Sequence, residues 1–83
     1  MIRLTLVSRS YCHLCDEMVQ ALKPFAHEFG LVIDVQDVDA TPELLLDYDE
    51  LVPVLLHEGK VLCHYRLDAE VVRQYLKTDC FTR

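Results

Sequence analysis

The 83-residue sequence has no long apolar run, and it contains few basic residues. None of its hydrophobic stretches approaches the roughly 18 residues that a transmembrane helix requires, so we expect no interaction with a membrane. Eight Lys and Arg stand against 14 Asp and Glu, which gives a formal net charge of −6. Nucleic-acid binding requires a clustered basic face, and docking on an anionic membrane surface also requires basic residues. The composition therefore argues against both kinds of partner.

The chain also lacks linkers, internal repeats and low-complexity segments. Its length suits one small domain, so residues 1–83 are predicted to form a single domain. Residues 1–7 are too few and too strand-like for a signal peptide. We therefore expect the protein in the cytoplasm, where the thiol pool keeps structural disulfides reduced. In that compartment, a close pair among the four cysteines favours a catalytic or a metal-binding role.

Two cysteines, Cys12 and Cys15, are three positions apart just after the apolar, β-branched residues 2–7. A pair at this spacing, between a strand and a helix, is typical of a disulfide that opens and closes. If Cys12 precedes the first turn of the helix, unpaired N–H groups and the positive helix end stabilise its thiolate. The thiolate is the attacking species. Cys15 then lies one turn further into the protein and is predicted to be the resolving thiol.

The apolar patterns along the chain predict an α/β protein with the element order βαβαββα. The four predicted strands cover residues 2–8, 31–38, 53–57 and 60–65. Helices are predicted after the first, the second and the last of these strands. The opening strand, helix and strand predict a right-handed parallel unit, and the tight turn at 58–59 makes the last two strands antiparallel. A four-stranded mixed sheet with helices on both faces satisfies this order. Pro24 lies inside the first helical pattern and is predicted to kink or split that helix.

Two motifs in this order resemble those of glutaredoxins and of the minimal thioredoxin fold. Residues 9–15, Arg-Ser-Tyr-Cys-His-Leu-Cys, are similar to the basic-x-x-Cys-x-x-Cys motif of glutaredoxins. Residues 51–53, Leu-Val-Pro, are similar to the family's Thr-Val-Pro, in which the proline is cis. The whole chain looks most like the short bacterial glutaredoxin-like proteins. The resemblance implies a thioredoxin-like fold and a thiol–disulfide oxidoreductase that reduces protein disulfides or glutathione mixed disulfides.

The resemblance also implies roles for individual residues. Cys12 would be the nucleophile and Cys15 the resolving thiol. Contacts with substrate are expected from Arg9, Tyr11, His13, Val52, Pro53 and Asp68. Of these, Arg9 would support the thiolate or pair with a substrate carboxylate, and Val52 would offer its backbone to an extended substrate. The expected partners are a disulfide-containing protein or glutathione, the latter as reductant or substrate, with no bound cofactor and a monomeric chain.

The chain departs from the family pattern in three places. Between the two cysteines, it has His13 and Leu14 where glutaredoxins usually have Pro and Tyr. Glutaredoxins place a Gly-Gly pair at the end of the last strand, where the backbone receives the γ-glutamyl end of glutathione, whereas this chain has Cys63, His64 and Tyr65. Bulky side chains there count against glutathione as a ligand. Thioredoxins carry a buried acid six positions before the first cysteine. Here that position is Leu6, so the proton-transfer role of that acid is absent.

Two alternatives remain open from the sequence. The chain could be a binding or adaptor module that kept the fold without general turnover, or a carrier of a metal ion or of an iron–sulfur cluster. The residues with enough ligand atoms for a tetrahedral site are Cys12, His13, Cys15, Cys63 and His64. However, Cys63 and His64 are neighbours on a predicted strand and point to opposite faces, so we predict no metal ligands. Cys63 is instead expected to pack as a small hydrophobe, and the tail at 78–83, with Cys80, is expected to fray.

Overall fold

The structure is a computed structural model in which residues 2–77 are described. Its elements are β1 (Ile2–Ser8), α1 (His13–Phe29), β2 (Leu31–Asp37), a 3-10 helix (Val38–Ala40), α2 (Pro42–Tyr48), β3 (Val54–His57), β4 (Lys60–His64) and α3 (Ala69–Tyr75). This order confirms the predicted βαβαββα arrangement and adds one short 3-10 helix. The tail at 78–83, which includes Cys80, lies outside the described residues, so the predictions for it stay predictions.

The four strands form one mixed sheet in the order β2-β1-β3-β4. β1 pairs with β2 in parallel, whereas the β1–β3 and β3–β4 pairs are antiparallel. Because β1 and β3 run in opposite directions, Val7 near the end of β1 lies opposite Val54 at the start of β3. The loop that follows β1 and the loop that precedes β3 therefore meet at the same end of the sheet.

Hydrophobic side chains cover both faces of the sheet. Along β1, Leu4 and Leu6 belong to one core cluster and Val7 to the other, as the two-residue period of a strand requires. The first cluster joins the sheet to α1 and α3, and its members include Met18, Leu22, Phe25, Leu55, Val72 and Leu76. The second cluster joins the sheet to the 3-10 helix and α2 through Val38, Val54, Leu56, Leu44 and Tyr48. The prediction of helices on both faces is thus confirmed.

The kink or split predicted at Pro24 does not take the form of a split, because helix α1 runs unbroken through that residue. Proline inside a helix costs about 3 kcal/mol. Leu22 and Phe25, on either side of Pro24, are both buried against the sheet, and full burial of such side chains is worth about 1.5–3 kcal/mol each. This packing offsets the defect. Gly30 ends the helix in the left-handed conformation, at φ 66°. Within residues 2–77, no helix is long and apolar enough to cross a membrane.

Three strand ends differ by one residue from the sequence prediction. β2 ends at Asp37, because the carboxylate of Asp37 accepts the N–H of Asp39 (2.9 Å) and starts the 3-10 helix. β3 begins after Pro53, which has no N–H to donate to a ladder. β4 ends before Tyr65, whose φ of 65° takes the chain out of the extended conformation.

Candidate active site

Cys12 and Cys15 form a disulfide at the amino end of α1, with their Cα atoms 5.2 Å apart. Cys12 is the N-cap residue in an extended conformation, and its Sγ accepts the N–H of Cys15 at 3.1 Å. The prediction that Cys12 precedes the first helical turn is therefore confirmed. At this position, the free N–H groups and the positive end of the helix dipole stabilise negative charge on the Cys12 sulfur once the disulfide is reduced.

The two cysteines differ in exposure. Cys15 is only 2% exposed, whereas Cys12 is half-buried. A sulfur atom that approaches from solvent can therefore reach Cys12 more readily than Cys15. This asymmetry agrees with a nucleophile at Cys12 and a resolving thiol at Cys15, roles that stay predictions.

The loop before β3 lies at the same end of the sheet as the disulfide. The Val52–Pro53 peptide bond is cis, as the resemblance implied. Pro53 is buried, and its carbonyl accepts the N–H of Tyr65 at 2.9 Å. Val52 packs against the second core cluster. The loop that is expected to present a backbone edge to substrate is thus held by the core on one side and by Tyr65 on the other.

Arg9, three residues before Cys12, is occupied by contacts within the chain. Its guanidinium donates two hydrogen bonds of 3.0 Å to the carboxylate of Asp39, and it also bonds the carboxylate and, at 3.3 Å, the carbonyl of Asp49. These carboxylates raise the pKa of Arg9 above its ordinary value, so the group stays charged. Arg9 therefore fastens the loop before Cys12 to the segments on either side of α2. The sequence pattern did not indicate these contacts, and a role in substrate binding stays a prediction.

The other predicted contact residues lie in three different settings. Tyr11 is fully exposed, with φ at 59°. His13 is also exposed, and its Nε2 lies 3.2 Å from the carboxylate of Glu17. Asp68 caps α3, because its carboxylate accepts the N–H of Val71 at 3.1 Å. Tyr11 and His13 flank Cys12 on the surface, whereas the Asp68 carboxylate is engaged by its own helix.

Tyr65 bridges two loops at this end of the sheet. Its O–H donates to the carbonyl of Glu50 at 2.8 Å, and its N–H donates to the carbonyl of Pro53. The side chain therefore extends from the end of β4 to the segment that precedes the cis proline. Sequence reasoning identified Tyr65 as bulky, but no local signal indicated Glu50 as its partner.

Cys63 is half-buried and packs against the first core cluster, in agreement with its predicted role as a small hydrophobe. Burial raises the pKa of the Cys63 thiol, so this residue remains protonated where an exposed cysteine begins to ionise. Its neighbour His64 is exposed. Among residues 2–77, no group of three or more His, Cys, Asp or Glu side chains is arranged to hold a metal ion.

The raised pKa of Cys63 predicts a difference in alkylation. In the reduced protein at pH 7, iodoacetamide should modify Cys12 at least about tenfold faster than Cys63, because only the thiolate reacts. Since the pKa of Cys63 is raised, its alkylation rate should continue to increase at pH values where the rate of an ordinary cysteine has already levelled off. Peptide mass spectrometry of timed samples measures both rates, and protein unfolded in urea is the control in which the difference disappears. Equal rates in the folded protein at pH 7 would contradict this prediction.

The fold and the disulfide at the amino end of α1 together define a thioredoxin-like domain with a Cys-x-x-Cys pair. Residues 3–77 match the glutaredoxin-like domain family (DUF836). The chain therefore belongs to this family of glutaredoxin-like domains.

Solved structures show the same relationship. Protein Ne2328 from Nitrosomonas europaea is 36% identical, with a TM-score of 0.82 and 89% of each chain covered. Protein XcR50 from X. campestris is 35% identical, with a TM-score of 0.70 over 89% of this chain and 95% of that one. Thioredoxin 1 from Thermosipho africanus, at 17% identity and a TM-score of 0.64, covers 94% of this chain and 98% of its own, and it shows the fold alone. No curated protein matches the chain significantly.

Proposed function

We propose that this protein is a thiol–disulfide oxidoreductase whose Cys12–Cys15 dithiol reduces disulfides in other proteins. The observation that carries the proposal is the placement of the pair. Cys12 is accessible at the positive end of a helix, whereas Cys15 is buried one turn behind it. Such a pair supplies an activated first thiol and a second thiol that is held within reach of it.

The reaction proceeds in two exchanges. In the reduced protein, the Cys12 thiolate attacks one sulfur of the substrate disulfide, the substrate S–S bond breaks, and the leaving sulfur takes up a proton. A mixed disulfide now joins Cys12 to the substrate. Cys15 then loses its proton, attacks the Cys12 sulfur and releases the second substrate thiol, so two electrons pass to the substrate. A thiol reductant returns the Cys12–Cys15 disulfide to the dithiol.

The surrounding residues support a peptide substrate beside the disulfide. The Val52 backbone, next to the cis proline, would align an extended segment of the substrate. Tyr11 and His13 would contact it on the exposed side of Cys12. Arg9, through its bonds to Asp39 and Asp49, would keep the loop before Cys12 in place during the exchange.

Glutathione mixed disulfides form a second substrate class, which we rank below protein disulfides. Tyr65 extends across the end of the sheet to Glu50, and its side chain takes space that a small tripeptide ligand would need. Glutathione also carries two carboxylates, and the neighbouring segment contains the acidic residues Asp47, Asp49 and Glu50. Repulsion between like charges disfavours such a ligand.

Two assays test the proposal. With dithiothreitol as reductant, the wild-type protein should accelerate reduction of insulin disulfides above the rate with dithiothreitol alone. With glutathione and hydroxyethyl disulfide as substrates, the protein should be a weaker catalyst than it is with insulin. If the reduced Cys12–Cys15 pair exchanges with neither substrate, the protein is not an oxidoreductase, and a binding module without turnover replaces the proposal.

Replacing Tyr65 by glycine should raise activity towards glutathione mixed disulfides. Glycine adopts a φ of 65° without strain, and removal of the ring opens the space beside Pro53, so we expect an increase of about fivefold. The hydroxyethyl disulfide assay measures this increase in activity. The matched control is Tyr65→Phe, which loses the bond to Glu50 but keeps the ring and should change the rate less than about twofold. A folded Tyr65→Gly variant with unchanged activity would rule out the ring as the obstacle.

A further inference from the structure

A partly apolar groove of about 590 Å³ lies along the carboxyl end of α2. We call it the α2 groove, and its lining residues are Leu45, Leu46, Asp47, Asp49, Glu50 and Leu51. Leu46 is 89% exposed, which is unusual for a large hydrophobic side chain in the middle of a helix. The groove thus offers leucine side chains between carboxylates.

Contacts on both sides connect the α2 groove to the disulfide end of the sheet. Asp49 is bonded by Arg9, which lies three residues before Cys12. The carbonyl of Glu50 accepts the O–H of Tyr65, from the loop after β4. The chain then continues from the groove directly to the cis proline at residue 53. A protein segment that reaches Cys12 along this loop would therefore pass over the groove.

Negative charge predominates along the segment that contains the α2 groove. Residues 24–59 contain no Lys or Arg, but they contain nine acids, which are Glu28, Asp34, Asp37, Asp39, Glu43, Asp47, Asp49, Glu50 and Glu58. Arg9 binds Asp39 and Asp49. By contrast, Glu43, Asp47 and Glu50 form no ion pair within residues 2–77. These three carboxylates remain available to a positively charged partner.

We propose that the α2 groove is the docking surface for the protein substrate, and that it selects a segment carrying Lys or Arg next to an apolar side chain. This inference rests on the proposed oxidoreductase function and specifies the class of its substrate. The apolar side chain would pack on Leu46, and the basic group would meet Asp47 and Glu50. A second copy of this chain is a poor occupant, because its net charge is also −6 and like charges repel.

Two peptides test the substrate preference. Each contains one internal disulfide with a leucine beside a cysteine, and they differ only in carrying two lysines or two glutamates next to the leucine. The full-length protein is reduced with dithiothreitol, freed from it and mixed with each peptide, and acid quenching with mass spectrometry gives the second-order rate constant. At an ionic strength of about 10 mM, where the Debye length is about 30 Å, the lysine peptide should react about tenfold faster. At an ionic strength of about 1 M, the Debye length is about 3 Å, and the difference in rate between the two peptides should disappear.

Matched variants locate the effect. Asp47→Lys should reduce the tenfold preference to about threefold or less, because it replaces an attractive charge in the groove by a repulsive one. Glu58→Lys makes the same charge change at the β3–β4 turn, at the opposite end of the sheet, and should leave the preference unchanged. Leu46→Ser should slow both peptides about threefold, since it removes apolar contact without changing charge.

The outcomes separate the two proposals. Equal rates for the two peptides at low salt, or a preference that Asp47→Lys does not reduce, would overturn the docking surface and leave the oxidoreductase function standing. Reaction with neither peptide would overturn the proposed function itself. The proposal would be supported if the lysine peptide reacts faster and if this preference is lost in Asp47→Lys but kept in Glu58→Lys. That result would establish the α2 groove as the surface that recognises substrate.

Discussion

Cys12→Ser is expected to lower the rate of disulfide reduction by about a thousandfold or more, because it removes the proposed nucleophile, on which both exchanges depend. A serine hydroxyl at this position is not ionised at neutral pH, and it cannot form the mixed disulfide. Insulin reduction with dithiothreitol as the donor measures the loss against the rate of dithiothreitol alone. Because Cys12 lies at the surface end of α1, the variant should fold, and far-UV circular dichroism checks this.

Cys15→Ser is the matched control for this prediction. It leaves Cys12 in place, so the first exchange proceeds, but no second thiol releases the product. We therefore expect the mixed disulfide between Cys12 and the substrate to accumulate, and intact-mass spectrometry detects it as an adduct that dithiothreitol removes. An unchanged rate in Cys12→Ser, or an adduct on another cysteine, would show that Cys12 is not the nucleophile.

The largest effect on stability is expected from Leu6→Ala. Leu6 is fully buried, lies opposite Leu55 in the β1–β3 pair, and belongs to the core shared by the sheet, α1 and α3. Truncation of such a side chain costs about 2–5 kcal/mol, because it removes buried apolar surface and leaves a cavity. A domain of this size has a free energy of unfolding of about 5–15 kcal/mol in total. Urea unfolding followed by far-UV circular dichroism measures the change.

Leu46→Ala is the control for the same chemical change without burial. Leu46 is 89% exposed, so its truncation should change the free energy of unfolding by less than about 0.5 kcal/mol. If the two variants were equally stable, the assignment of Leu6 to a tightly packed core would be wrong. If Leu46→Ala were strongly destabilised, Leu46 would not be the exposed side chain of α2 that the structure shows.

Much of the fold follows from local patterns. The stripe of Leu14, Met18, Leu22, Phe25 and Phe29 predicts α1, and Gly30 ends that helix. The strands and the turn at 58–59 also follow from short stretches of sequence, with errors of one residue at their ends. These elements are predictable because hydrophobic periodicity and turn conformation depend on residues that are close together along the chain.

The long-range contacts of the site could not be predicted in the same way. Arg9 bonds Asp39 and Asp49, which are 30 and 40 residues further along the chain. Tyr65 bonds the carbonyl of Glu50, 15 residues before it. Several acids along residues 34–50 were equally plausible partners for Arg9, and only the packing of α2 on the sheet selects two of them.

The local sequence is enough to identify the Cys12–Cys15 pair, because the spacing of these cysteines at a strand-to-helix junction is a local property of the chain. It also determined the order of the elements, through their apolar periods. The tertiary structure alone decided what surrounds the pair. It directed the charge of Arg9 towards Asp39 and Asp49, extended Tyr65 to Glu50, and left Leu46 exposed beside Asp47. These outcomes depend on side chains that meet only when the sheet and its helices have packed, and hydrophobic burial, rather than sequence spacing, determines which of them meet.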